Sequence, residues 1–249
     1  MKPTHAQGVQ LVWFPARQEI MAADRIFEAI FARSPESVNT NRVPSPSAPF
    51  LSQAKSLIDG LIHTVVIEPG RVSVTIQPNH DVPIASPLQS SPVPFVGFDE
   101  VWKIVGGVLE KLSKEFVEPS VRVAIILGTS YLAENGAEAN KLFTLATGIE
   151  TSEDTLDLIY QRNDRLIVND VAFNRLENYS VNNVEWVQMQ PIWQGAMNFN
   201  PIQNQVARSS FVAGNLDYNT VITGRIFDFN DIYDQFHTLF DALNSRLEA

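Results

Sequence analysis

The chain has no cysteine among its 249 residues. That excludes disulfide frameworks, thiolate zinc sites, iron–sulfur clusters and cysteine nucleophiles together. It also lacks a long apolar run; no stretch approaches the ~18 residues a membrane-spanning helix needs. The opening segment MKPTHAQGVQLVWFPARQEI breaks its apolar stretch at Phe14–Pro15, short of the ~7–15 residue core of a secretory leader. Histidine is scarce, with four in all. No HxH, HxxxH or HExxH spacing occurs, so neither a metal nor another cofactor is expected. Basic residues are outnumbered, 18 Lys and Arg against 28 Asp and Glu, for a formal net charge of −10. They are scattered singly, whereas phosphate-backbone binding draws on clustered cations. Nucleic acid is therefore not an expected partner, and the acidic balance serves solubility. Together these absences predict a soluble, cytoplasmic protein that touches no membrane.

What is present is ordinary globular material, 45% hydrophobic and 18% charged. A chain this long buries roughly 70–75% of the surface its unfolded form exposes, so it needs no covalent staple. The length predicts a single domain, 1–249, with two packed halves, 1–128 and 129–249, as the alternative. No internal repeat of fixed period is visible.

Periodicity supplies the elements. VQLVWF (9–14) is β-prone and stops at Pro15. DRIFEAIFAR places Ile26, Phe27, Ile30 and Phe31 at helical spacing. RVPSPSAP (42–49) is loop. LIHTVVI (61–67) and VSVTIQ (72–77) flank Pro69–Gly70, a turn pair in which proline presets φ and glycine accepts a positive one. Residues 81–97 hold four prolines and read as an extended connector. FDEVWKIVGGVLEKLSKEF reads as one helix from Phe98 to Phe116, whose Gly106–Gly107 suggests close approach of another backbone. VRVAIILG (121–128) is apolar on both parities, the mark of a central strand. Strand, helix, two strands, helix and strand then match a split βαβ pattern. In the second half, ANKLFTLAT reads as a short helix. TLDLIYQ and RLIVN read as strands turning at Asn163–Asp164, and VEWVQMQPIW and SSFVAGNLDYNTVI as two more, with NFNPIQNQ as loop between them. The fold expected is α+β: a mainly antiparallel sheet with helices packed on one face, a ferredoxin-like βαββαβ first half and a strand-rich second half.

The last stretch, DFNDIYDQFHTLFDALNSRLEA, is a long amphipathic helix. Ile232, Phe236, Leu239, Phe240, Leu243 and Leu247 share one stripe. Asp228 suits its N-cap, and Phe227 and Ile232 are spaced for a hydrophobic staple. His237 sits beside the stripe with Asp234 three residues back and Asp241 four ahead, both within reach on a helix. A base oriented by a carboxylate is a catalytic element; a solvated helix shoulder offers the same geometry. Other constellations are weaker. LGTSYL (127–132) places Ser130 after a strand but lacks the second glycine of a nucleophile elbow. His80–Asp81 is an isolated pair. Asp157, Glu185 and Asp217 are a conceivable magnesium cluster without a supporting spacing.

Three stretches together carry a resemblance: RVSVTIQ followed by the helix bearing Trp102, FNRLENYS (173–180), and LDYNT followed by FHTLFDAL. In this order, with VRVAIILG in place of an arginine-glycine strand, the chain resembles a sporadically distributed family of uncharacterised prokaryotic proteins of about this length. The resemblance implies a shape and no catalytic residues. The functional expectation is a non-catalytic protein-interaction or assembly subunit, with a protein partner or self-association, docking through 81–97 or 196–210. Two alternatives stand beside it. One is a hydrolase using His237 with Asp234 or Asp241. The other is a small-ligand binder between sheet and helix, using Trp102, Trp186 or Trp193.

Overall fold

Val72, Val74 and Ile76 alternate with Ser73, Thr75 and Gln77, and the backbone follows that period. The computed structural model describes residues 2–17, 22–79, 96–112, 114–117, 119–168, 171–188 and 205–248, with side chains omitted for 185–188 and 205–208. In order they form β1 (His5–Pro15), α1 (Ala23–Phe31), β2 (Ser37–Thr40), β3 (Ser52–Ile58), β4 (Leu61–Glu68), β5 (Arg71–Pro78), β6 (Val96–Gly97) and α2 (Phe98–Leu109). There follow α3 (Lys114–Val117), β7 (Ser120–Ala133), α4 (Gly136–Thr147), β8 (Ile159–Val168), β9 (Val171–Gln188), β10 (Gln205–Thr220) and α5 (Phe229–Glu248).

The strands make one sheet in the order β2-β3-β4-β5-β1-β7-β10-β9-β8, with β6 added beside β1. Every pairing is antiparallel. The expected mainly antiparallel α+β fold is what forms. Register carries the apolar parity across the sheet: Leu11 lies between Val74 and Ile125, and Ile125 opposes Tyr218. These residues share one continuous core with Ile26, Phe27 and Ile30 of α1, Val101 and Val105 of α2, Phe143 of α4 and Phe236 and Leu239 of α5. The helices therefore cover one face. VRVAIILG is central as expected, between β1 and β10.

The connectivity repeats where the sequence does not. β1-α1-β3-β4-β5-α2 and β7-α4-β8-β9-β10-α5 each read strand, helix, three strands, helix, with β2, β6 and α3 extra in the first. Their strand orders, β3-β4-β5-β1 and β7-β10-β9-β8, mirror each other across the central β1–β7 pair. The 128/129 point falls inside β7.

Local signals set the helix ends. Asp228 Oδ1 accepts the Asp231 amide at 2.9 Å, and Phe227 and Ile232 are both buried beside that cap. Asn135 caps α4 by accepting the Glu138 amide at 3.0 Å, and Gly148 closes it at φ 75°. α1 has no side-chain cap of its own; Ser52 Oγ on β3 accepts from the Ala23 amide at 3.1 Å.

Several expectations are corrected. The helix from Phe98 to Phe116 is two helices, α2 and α3. A Cβ added at Gly106 or Gly107 would meet nothing within 4 Å, so no backbone among the described residues packs against them. Each costs about 1 kcal/mol of helix propensity, and α2 ends two residues later. Asn163–Asp164 is not a turn: β8 pairs with β9 without interruption from Ile159–Ser180 to Val168–Val171. Ser130 lies within β7, fully buried, instead of at a strand-to-helix turn. Residues 81–95 and 198–204 lie outside the described residues.

His63 on β4 is buried under α1, its ring edge-on to Phe31 at 4.8 Å. Its Nδ1 has no hydrogen-bond partner. Burial holds its pKa below the usual 6.5, against opposing contributions from the Leu61 backbone and Asp59. Below pH 6.5 the unfolded chain binds a proton that the folded chain refuses, so stability rises with pH through that window and falls on acidification. Thermal melts from pH 7.5 to 5.5 should show this slope in the wild type. His63→Phe should flatten it, and equal slopes in both proteins would remove the assignment.

Candidate functional site

α5 brings His237, Asp234 and Asp241 to one helix flank but does not join them. Both aspartates are exposed and His237 is half-buried. The His237 ring packs on Tyr233 at 4.3 Å, and its buried Nε2 has no hydrogen-bond partner. Among the described residues no hydrogen bond or ion pair links the imidazole to either carboxylate. Trp102 is taken up in packing. It stacks on Phe240 at 4.4 Å and on Phe98 at 5.6 Å, and its indole N–H donates to Asn244, tying α2 to α5. The Trp186 side chain, Trp193, His80–Asp81 and the Glu185 side chain lie outside the described residues. No group of three potential metal ligands occurs among the described residues.

A charged cluster that sequence reasoning passed over lies under α5. Glu177 on β9 is 2% exposed. Arg246 of α5 reaches it with both arms, Nε to Oε1 at 3.0 Å and Nη2 to Oε2 at 3.3 Å. Arg246 Nη2 also donates to the Ala146 carbonyl at the end of α4, at 2.9 Å. The Tyr218 hydroxyl donates to Glu177 Oε1 at 2.9 Å. Burial, and then the neighbouring Glu177, pushes the Tyr218 hydroxyl pKa well above its ordinary value. Tyr179 is pushed up to about 12, again chiefly by burial. From Arg175, 3.9 Å from Glu177, the charges run outward to Asp164 at 2.5 Å and on to Arg162, also at 2.5 Å. The signal was present in FNRLENYS: Arg175, Glu177 and Tyr179 are two apart and so share the helix-covered face. Arg246, Glu177 and Tyr218 are mutually paired, and with the Ala146 carbonyl they clamp α4 and α5 to β9 and β10.

The sheet's other face holds a trough of about 570 Å³ that spans β5, β1, β7, β10 and β9. Its lining is mixed and uncharged among the described residues: amides from Gln7, Gln10, Gln77, Asn178 and Asn215 and hydroxyls from Thr75 and Ser180 stand among Val9, Ile126, Ala213 and glycines. Two glycines shape its floor. Gly8 sits at a register shift in β1 with φ 153°, and a Cβ there would come 3.2 Å from the Ile76 carbonyl oxygen. At Gly128 a Cβ would come 3.2 Å from Gln7 Cβ. Gln7 in turn donates to Ser130 Oγ at 2.8 Å. Amides that each donate and accept can read peptide groups and other neutral polar ligands. Nothing in the trough supplies a nucleophile with an adjacent base.

No family model, no curated protein and no solved structure matches this chain. No helix among the described residues is long and apolar enough to cross a membrane.

Proposed function

We propose that this protein is a non-catalytic interaction or assembly subunit that holds an uncharged, polar stretch of a partner protein in the trough. The observation that carries this is the trough's lining among the described residues, five amides and no charged side chain, on a face that none of the described helices covers. A charged ligand would be desolvated there without a counter-ion, at a cost of several kcal/mol. A phosphate backbone would find no cation among the lining residues, and Arg71, which donates to Gln10 Oε1 at 3.1 Å, is already paired with Glu68. The trough crosses five strands, a width of about 19 Å, enough for about six residues of extended chain. The ferredoxin-like reading of the first half belongs to the same proposal. It draws support from the order β4-β5-β1-β7, to which β2 and β3 are additions. The reading as two packed halves draws on the repeated connectivity.

The hydrolase alternative draws on one observation, the unpartnered Nε2 of His237. Ser180→Trp and Asn215→Trp separate the two readings, because both side chains line the trough and neither lies in the helix-side core. Either tryptophan should abolish co-purification of the partner from source cells at an unchanged melting temperature, whereas His237→Ala should retain it. Retention with the trough filled would overturn the proposal. Loss on His237→Ala alone would favour the hydrolase.

A further inference from the structure

β8 ends the sheet. It is ten residues long, Ile159 to Val168, and pairs only with β9 among the described residues. An edge of that length presents a row of unpaired backbone donors and acceptors, which proteins ordinarily blunt with like charges, prolines or bulges. β8 has neither proline nor register shift. Its charges alternate in sign, Arg162, Asp164 and then Arg165. Ile159 and Ile167, near its two ends, are each 74% exposed on the helix-free face.

We propose that β8 pairs antiparallel with β8 of a second copy about a two-fold axis at Asn163, joining two sheets into one. Directly opposed residues turn their backbone groups either both toward the partner strand or both away from it, and the two orientations alternate along an edge strand. A strand pairing with its own copy can therefore slip only in steps that keep parity. With Asn163 opposite Asn163, Arg162 faces Asp164 of the second copy, and Asp164 faces Arg162. Gln161 faces Arg165, Tyr160 faces Leu166 and Ile159 faces Ile167. A slip one way puts Arg162 on Arg162; a slip the other way puts Asp164 on Asp164. Like charges directly opposite are destabilising and opposite charges and apolar pairs stabilising, so one register is selected. This interface uses a different strand from the trough and stands whether or not the trough is the docking site.

The chain's lack of cysteine makes the test direct, because directly opposed Cα atoms lie about 4.5–5.5 Å apart, within the span of a disulfide. Under mild oxidation of the full chain, Asn163→Cys should cross-link to a covalent dimer. Gln161→Cys and Arg165→Cys should each stay uncross-linked alone and cross-link when mixed. Sedimentation should show a concentration-dependent dimer. Ile159→Lys or Ile167→Glu should each weaken it about tenfold, and the double variant should restore it. Both isoleucines are exposed, so the fold should survive either change. A monomer at all concentrations, an Asn163→Cys chain that stays monomeric under oxidation, or a double variant as weak as the singles would overturn the proposal.

Discussion

Replacing Arg246 by Met is expected to destabilise the protein by about 3–5 kcal/mol, the usual consequence of stranding one member of a buried ion pair. The substitution keeps an unbranched stem and removes the guanidinium. Glu177 would then stay 2% exposed with the Tyr218 hydroxyl as its remaining close donor and Arg175 3.9 Å away. The Ala146 carbonyl would also lose its donor, so α4 and α5 should loosen together. Urea unfolding measures the loss. Adding Glu177→Gln removes the stranded charge, and the double variant should recover part of the stability. The two changes are then non-additive, as contacting groups are. If Arg246→Met shifts the urea midpoint no more than an exposed arginine does, the network is not what fixes α5.

Trp13→Ala should cost about 3–5 kcal/mol, in the range for emptying a large buried side chain. Trp13 is fully buried on β1, its ring 6.4 Å from Phe116, and its indole N–H donates to the Phe116 carbonyl at 2.9 Å. That bond anchors the short α3 to the middle of the sheet. Trp13→Phe keeps much of the volume but leaves the carbonyl unpaired, at a cost of about 1–3 kcal/mol. Equal losses for the two variants in urea titration would mean that the hydrogen bond, not the packing, dominates.

The helix-covered face was legible because its residues obey simple periods. Val72, Val74 and Ile76 on β5, the stripe on α5 and the continuous run of β7 all announce burial. β3 did not, since its buried positions are Ser52, Ala54 and Ser56, too small and polar to register as alternation. Asn163–Asp164 misled for a different reason. Turn-forming residues also tolerate an exposed edge strand, and local chemistry does not say which neighbour a strand will find. His237 drew attention because a lone histidine between two aspartates is conspicuous in sequence. The trough escaped it because its amides come from four strands and are adjacent only after pairing. Gln10 meets Thr75, and Asn215 meets both Gly128 and Asn178. The Glu177–Arg246 pair spans 69 positions, a separation that no local pattern reports.

The helices roof one sheet face, and the proposal is that the other face meets the partner. Photo-cross-linking side chains at Asn215, in the trough, and at Asp241, exposed on α5, test this most directly when each full-length variant is expressed in source cells. Cross-links to a partner from position 215 and none from 241 are the predicted result. Cross-links from 241 with none from 215 would contradict it.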